Sequence, residues 1–195
     1  MSDTAKRSPA TDLALVAVFA ALIAAFSLTP GIPVGVGVPI TLQSLAVVLA
    51  GLVLGPRLAF LATLLYLAVG FAGLPVFAGG SAGLAVLAKP SIGYLLAFPF
   101  GAALAGYLAR VFSSWRGARQ YLGFFLAGLG ASVLIHAAGI IGLMLVLRLS
   151  FSAAFVADVI FWPGDLAKMF VAAAIAVAVH KAFPALLVRR QPAVA

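Results

Sequence analysis

Residues 40–72 read Ile40-Thr-Leu-Gln-Ser-Leu-Ala-Val-Val-Leu-Ala-Gly-Leu-Val-Leu54, then Gly55-Pro56-Arg57, then Leu58-Ala-Phe-Leu-Ala-Thr-Leu-Leu-Tyr-Leu-Ala-Val-Gly-Phe-Ala72. Two uncharged apolar runs are joined by only three residues. Gly-Pro closes one helix and opens the next, so the two must be antiparallel neighbours. Such a pair has no polar face to offer water, whereas a bilayer asks for none.

The rest of the chain has the same character. Of 195 residues, 65% are hydrophobic and 8% charged, with a mean hydropathy of +1.25; soluble domains carry about 25% charge. A water-soluble globule is excluded. Further apolar runs span Leu13–Leu28, Gly93–Ala109, Tyr121–Leu147 and Leu166–Phe183, near the roughly 20 residues that a helix needs to cross a bilayer core. The expected fold is an all-α integral membrane protein with six transmembrane helices. Its spanning domain covers residues 13–187, between tails at 1–12 and 188–195. Ala25-Phe26-Ser27 would suit a signal-peptide cleavage site. The length of the first run and its small-residue stripe favour a retained helix. That stripe, Ala17, Ala21 and Ala25 with Ala20 and Ala24 beside it, is the spacing that lets helices approach closely, and it is the candidate partner interface.

Twelve Lys and Arg against four Asp and Glu give a net charge of +8. Their placement between the apolar runs encodes topology and does not point to nucleic acid. Assigning alternate loops to alternate sides puts Lys6, Arg7, Arg57, Arg110, Arg116, Arg119, Lys181, Arg189 and Arg190 together, with only Lys89, Arg148 and Lys168 opposite. The positive-inside rule then makes both termini cytoplasmic. The outward connections, residues 30–39, 73–91 and 148–164, are apolar and rich in Gly and Pro, and are expected to fold back as lids or re-entrant loops.

Cysteine and glutamate are both absent, which closes disulfide, thiolate-metal and redox-thiol chemistry. No GxxxxGK[ST] or HExxH stretch occurs, so neither an ATPase site nor an enzyme is expected, and no metal or cofactor. The acids are Asp3, Asp12, Asp158 and Asp165.

Charge at membrane depth is costly and must be paired or face a cavity. Three polar clusters stand at the outer starts of the second, fourth and sixth spans. Pro39-Ile-Thr41-Leu-Gln43 offers Thr41 as a cap and Gln43 as an amide. Phe77-Ala-Gly-Gly80 runs on to Lys89-Pro-Ser91-Ile-Gly-Tyr94, with Ser91 a candidate cap. In Phe161-Trp162-Pro-Gly-Asp165-Leu-Ala-Lys168, the acid and the base share a helix face at i and i+3. The bland readings are a helix–helix hydrogen bond for Gln43, an interfacial anchor and aromatic belt for Lys89 and Tyr94, and a local ion pair for Asp165. Taken together, helix N-termini, two lysines and Phe77, Tyr94 and Trp162 suit a small carboxylated solute with a ring. His136 reads as a neutral ring bonded within the bundle, with proton relay the weaker alternative, and Asp158 as a stabiliser of the last outer loop.

Val38-Pro-Ile-Thr-Leu-Gln43, Gly73-Leu-Pro-Val-Phe-Ala-Gly-Gly80, Pro90 to Tyr94-Leu-Leu and Pro163-Gly-Asp-Leu-Ala-Lys168 resemble the BioY family. These are the biotin-capturing S components of energy-coupling factor (ECF) transporters. The resemblance implies an S-component-like bundle in a bacterial cytoplasmic membrane, biotin as solute, and partnership with a transmembrane coupling protein and two ATPase subunits. It implies docking through the alanine-rich first helix and ligand contacts at Asp165 and Lys168, with Gln43 and Tyr94 as pocket residues. Where the family shows a Gly-Pro-Thr-Gly-Gly-Tyr-like stretch, this chain has Lys89-Pro-Ser-Ile92-Gly-Tyr94, which is stiffer and more basic. An S component for another small carboxylated vitamin and a non-transporting packing subunit are the alternatives, and self-association into a homo-oligomer stays open.

Overall fold

The computed structural model describes residues 8–35 and 37–183. Its elements are α1 (Pro9–Leu28), α2 (Gln43–Leu54), α3 (Pro56–Phe71), α4 (Ile92–Val111), α5 (Ala118–Leu147), α6 (Phe151–Val159) and α7 (Trp162–Ala182). The molecule is all-helical, with two isolated β-bridges in its loops. Lys6, Arg7, Arg189, Arg190 and the tail at 188–195 lie outside the described residues, as does most of the tail at 1–12. Within that tail, α1 already begins at Pro9, capped by the Ser8 side chain, which accepts the Thr11 N–H at 3.2 Å.

Four helices, α1, α4, α5 and α7, are long and apolar enough to cross a membrane. At 1.5 Å per residue, α2 with 12 residues reaches about 18 Å and α3 with 16 about 24 Å, short of a core roughly 30 Å thick. The expected start of α2 at Ile40 gives way because Ile40 and Ile32 exchange backbone hydrogen bonds of 2.9 Å in a β-bridge. Thr41 then accepts the Gln43 N–H, and the helix begins there. Ser91 occupies the N-cap position of α4 without a side-chain cap bond, in contrast to the expected cap.

Helix α2 is the axis of the bundle. All its residues except Ser44 are buried, as an all-round apolar helix must be when other helices enclose it. α1, α3, α4 and α7 surround it, and α5 packs along α4 and α7. The α4–α5 seam is tight where Gly93 and Gly142 meet: a Cβ on either would collide with backbone of the other helix. α1 buries Val16, Ala20, Ile23 and Ser27. Ala17, Ala21 and Ala25 lie exposed on its other side, and Ala24 is half-buried.

The two ends of the bundle differ. At one, the Arg110 side chain lies against the α2–α3 turn at Gly55, and His180 Nε2 lies 2.8 Å from Leu52 O, gathering the ends of α2, α4 and α7. The starts of α2, α4 and α7 are gathered at the other. There the loop at 72–91 is ordered by a Phe77–Ser81 bridge and two 3-10 turns, and the loop at 148–161 contains α6, which the expected lid did not specify. Ser150 caps α6 by accepting the Ala153 N–H, and Arg148, at φ 55°, turns the chain out of α5.

Candidate functional site

A cavity of about 240 Å³ opens at the end where α2, α4 and α7 start. The partial positive charge of three helix N-termini is therefore directed at one volume. Gln43, Phe77, Lys89, Tyr94, Asp165 and Lys168 all line it, so six of the seven candidate ligand residues converge. Trp162 is not in that wall. Its neighbour Phe161 is, with the Tyr94 ring edge-on at 5.9 Å.

Pro163 in the first turn of α7 places Asp165 and Lys168 on the face turned to α2. Lys168 Nζ donates to Asp165 Oδ1 at 2.6 Å and to Ser44 Oγ at 3.1 Å, and Ser44 Oγ donates to Asp165 Oδ1 at 3.0 Å. The three groups close a triangle across two helices. This pairs a lysine that would otherwise be costly at membrane depth. Gln43 Nε2 donates to Tyr66 Oη at 2.8 Å, and Tyr66 donates to Val76 O at 3.2 Å, so the α2 amide pins the loop that carries Phe77. Ser27 of α1 also donates to Val76 O. Phe77 is buried with its ring against Gly70, where any Cβ would collide with it, and edge-on to Tyr66 at 5.4 Å. Lys89 stands exposed on the cavity wall with no carboxylate in ion-pair range among the described residues.

Two residues assigned elsewhere prove central. His136, from the middle of α5, lines the cavity with Nε2 2.9 Å from Asp165 Oδ2 and Nδ1 2.7 Å from Asp158 Oδ1. Asp158 is fully buried at the end of α6 and ties that connection to α4 and α5. It accepts the Tyr94 hydroxyl at 2.7 Å and Trp162 Nε1 at 3.0 Å, while Trp162 stacks on His136 at 4.6 Å. Tyr94 therefore serves both as cavity wall and as donor, and it fits because Gly139 leaves its ring room. The sequence carries one signal for this arrangement. Asp158 and Asp165 flank the same helix start, Lys168 compensates only one of them, and His136 is the one histidine at mid-span.

The chain matches the BioY family over residues 1–185. It belongs to that family. The biotin transporter BioY of Rhizobium etli is 44% identical over 182 residues, covering 91% of this chain and 97% of that protein. The biotin transporter BioY of Rhodobacter capsulatus is 37% identical over 192 residues, covering 92% and 98%. Among solved structures, the S-component for biotin from an ECF-type ABC transporter superposes on this BioY-family chain with a TM-score of 0.83. The two are 27% identical, and the match covers 90% of this chain and 95% of that one. Four apolar spans and relatives named as transporters make this a multi-pass membrane protein.

Proposed function

We propose that this chain captures biotin from the outer side of a bacterial cytoplasmic membrane and passes it inward as the S component of an ECF-type transporter. It is a carrier and performs no chemistry on its solute. The observation that carries the reading is the Asp165–Lys168 pair held inside an aromatic-walled cavity in a BioY-family chain. Biotin presents two ureido N–H groups, a ureido carbonyl, an apolar ring and a carboxylated tail. Asp165 accepts ureido N–H, Lys168 and Gln43 supply polar contacts beside it, and Phe77 and Tyr94 bound the ring. Lys89 receives the carboxylate. Trp162 contributes from behind, through the ring of His136.

In this reading α2 and α3 complete six crossings, aided by the stretch at 37–41 that lines the cavity, with both termini cytoplasmic. The segregation of Arg57, Arg110, Arg116, Arg119 and Lys181 from the cavity supports the orientation. The exposed alanines 17, 21 and 25 support docking on a transmembrane coupling protein that brings two ATPase subunits. Retention of radiolabelled biotin by the purified chain, challenged with an excess of each other vitamin, tests the assignment. Displacement by biotin alone is expected; displacement by another carboxylated vitamin at lower concentration would transfer the site to that solute.

A further inference from the structure

His136 poses a question of proton inventory. Both ring nitrogens face carboxylate oxygens, at 2.7 and 2.9 Å. A neutral imidazole has one donor and one acceptor, and an acceptor nitrogen against an ionised carboxylate sets lone pair against lone pair. The three groups therefore share one proton beyond a neutral ring and two carboxylates. Asp165 Oδ1 already receives Lys168 and Ser44, and Asp158 already receives Tyr94 and Trp162. Both acids are supplied with donors as anions, so the shared proton belongs on the ring.

The charges facing the ring are Asp158 from α6 and Asp165 from α7, with Lys168 beyond Asp165. Tyr94 from α4 and Ser44 from α2 add hydroxyls without charge, and Lys89 is the remaining charged group of the wall. With an imidazolium, the four buried groups balance to zero. Without it, the inner end of the cavity carries one net negative charge.

We propose that His136 is the positioning and specificity-determining residue of the site: an imidazolium tied between Asp158 and Asp165 that fixes the Asp165 carboxylate and keeps the inner cavity neutral, so that it selects an uncharged ureido group. This rests on the biotin reading of the cavity. Asp165 Oδ1 is filled by its two donors, whereas Oδ2 keeps one lone pair after His136 is counted. The ring thereby decides which oxygen meets the ligand. Asp158, outside the cavity wall, acts through the ring and through the Tyr94 hydroxyl that it accepts.

The probe is 2-iminobiotin, whose guanidine is cationic at neutral pH where the ureido group is neutral. Affinities for biotin and 2-iminobiotin are measured at pH 7 on purified wild type and on His136→Gln, Asp158→Asn and the double variant, with gel filtration and thermal unfolding to confirm folding. In His136→Gln the preference for biotin should fall roughly tenfold or more, the size of one charge-assisted contact. In Asp158→Asn the amide N–H can satisfy Nδ1, the ring needs no extra proton and the inner cavity stays neutral, so the preference should stay near wild type; the double variant, also neutral, should return towards it. Equal loss of both ligands in His136→Gln, or a double variant whose preference stays as low as that of His136→Gln, overturns the proposal and leaves His136 a structural tie. Should His136→Gln fail to fold, the pH dependence decides: raising the pH from 7 to 10 should lower the preference for biotin in wild type and leave it flat in Asp158→Asn, and a flat wild type overturns the proposal. A wild type that binds neither ligand overturns the biotin reading itself, and with it the role of His136, before any variant is compared.

Discussion

Lys168 Nζ stands 2.6 Å from Asp165 Oδ1, one turn along α7, and both are largely withdrawn from solvent. A buried pair of this kind is costly to half-remove, because the remaining charge has no solvent to turn to. Asp165→Asn keeps the shape and one acceptor but leaves the Lys168 ammonium without its anion. Charge-assisted hydrogen bonds contribute about 1.5–3 kcal/mol, so equilibrium binding should show biotin affinity down roughly ten- to hundredfold. Undiminished affinity in a folded variant would remove Asp165 from the site.

Lys89 differs from Lys168 in being exposed and without an ion-pair partner among the described residues. An exposed ion pair contributes about 0.2–1 kcal/mol. Lys89→Ala should therefore weaken biotin only about two- to fivefold while leaving the affinity for biotin amide, which lacks the carboxylate, unchanged. Equal weakening of acid and amide would show that Lys89 shapes the loop without meeting the carboxylate.

Gly139 yields its side-chain space to Tyr94, whose ring fills the position of a Cβ. In Gly139→Ala the ring must move and the Tyr94–Asp158 hydrogen bond of 2.7 Å must stretch or break. Overpacking of this sort costs about 1–3 kcal/mol. Thermal unfolding in detergent should register the loss and biotin affinity should drop with it. Trimming the ring in Gly139→Ala/Tyr94→Leu should recover stability without recovering affinity; recovery of both would make Tyr94 a filler.

How much of this was legible depended on the range of the interaction. α1, α4, α5 and α7 show as apolar runs because lipid demands them locally. Their ends drift where local signals conflict: Pro163-Gly164 reads as a loop, yet the proline sits in the first turn of α7, where its missing N–H costs nothing. The nine residues of α6 are too few for a span and too apolar for an ordinary loop, so the helix was hidden inside an expected lid. Asp165 and Lys168 pair within one turn and could be read from spacing alone. His136 and Asp158 are 22 residues apart on different helices, and Ser44 and Lys168 are 124 apart. Only the packing of the bundle brings them together.

The absence of cysteine allows orientation to be measured directly. Single cysteines introduced as Gly35→Cys and Ser152→Cys, both exposed and outward in the proposed orientation, should react with a membrane-impermeant maleimide added to sealed cells. Arg116→Cys, exposed between α4 and α5, should react only after lysis. The reverse pattern would turn the protein over and place the cavity on the cytoplasmic side.

The alanine stripe of α1 divides in the structure, and the division sharpens its test. Ala20 is buried and Ala24 half-buried against the bundle, whereas Ala17, Ala21 and Ala25 face outward at i, i+4 and i+8. Without a hydrophobic driving force in lipid, helices associate through close van der Waals contact, which small side chains permit. Ala21→Trp should hold a partner helix away while leaving the fold and the cavity, built by other helices, intact. The expected protein binds biotin normally but fails to co-purify with its coupling protein and ATPases and fails to accumulate biotin in cells. Ala20→Trp, by contrast, should damage folding and binding together, because its side chain points into the molecule. Full uptake by Ala21→Trp would release the outer stripe from any role in docking.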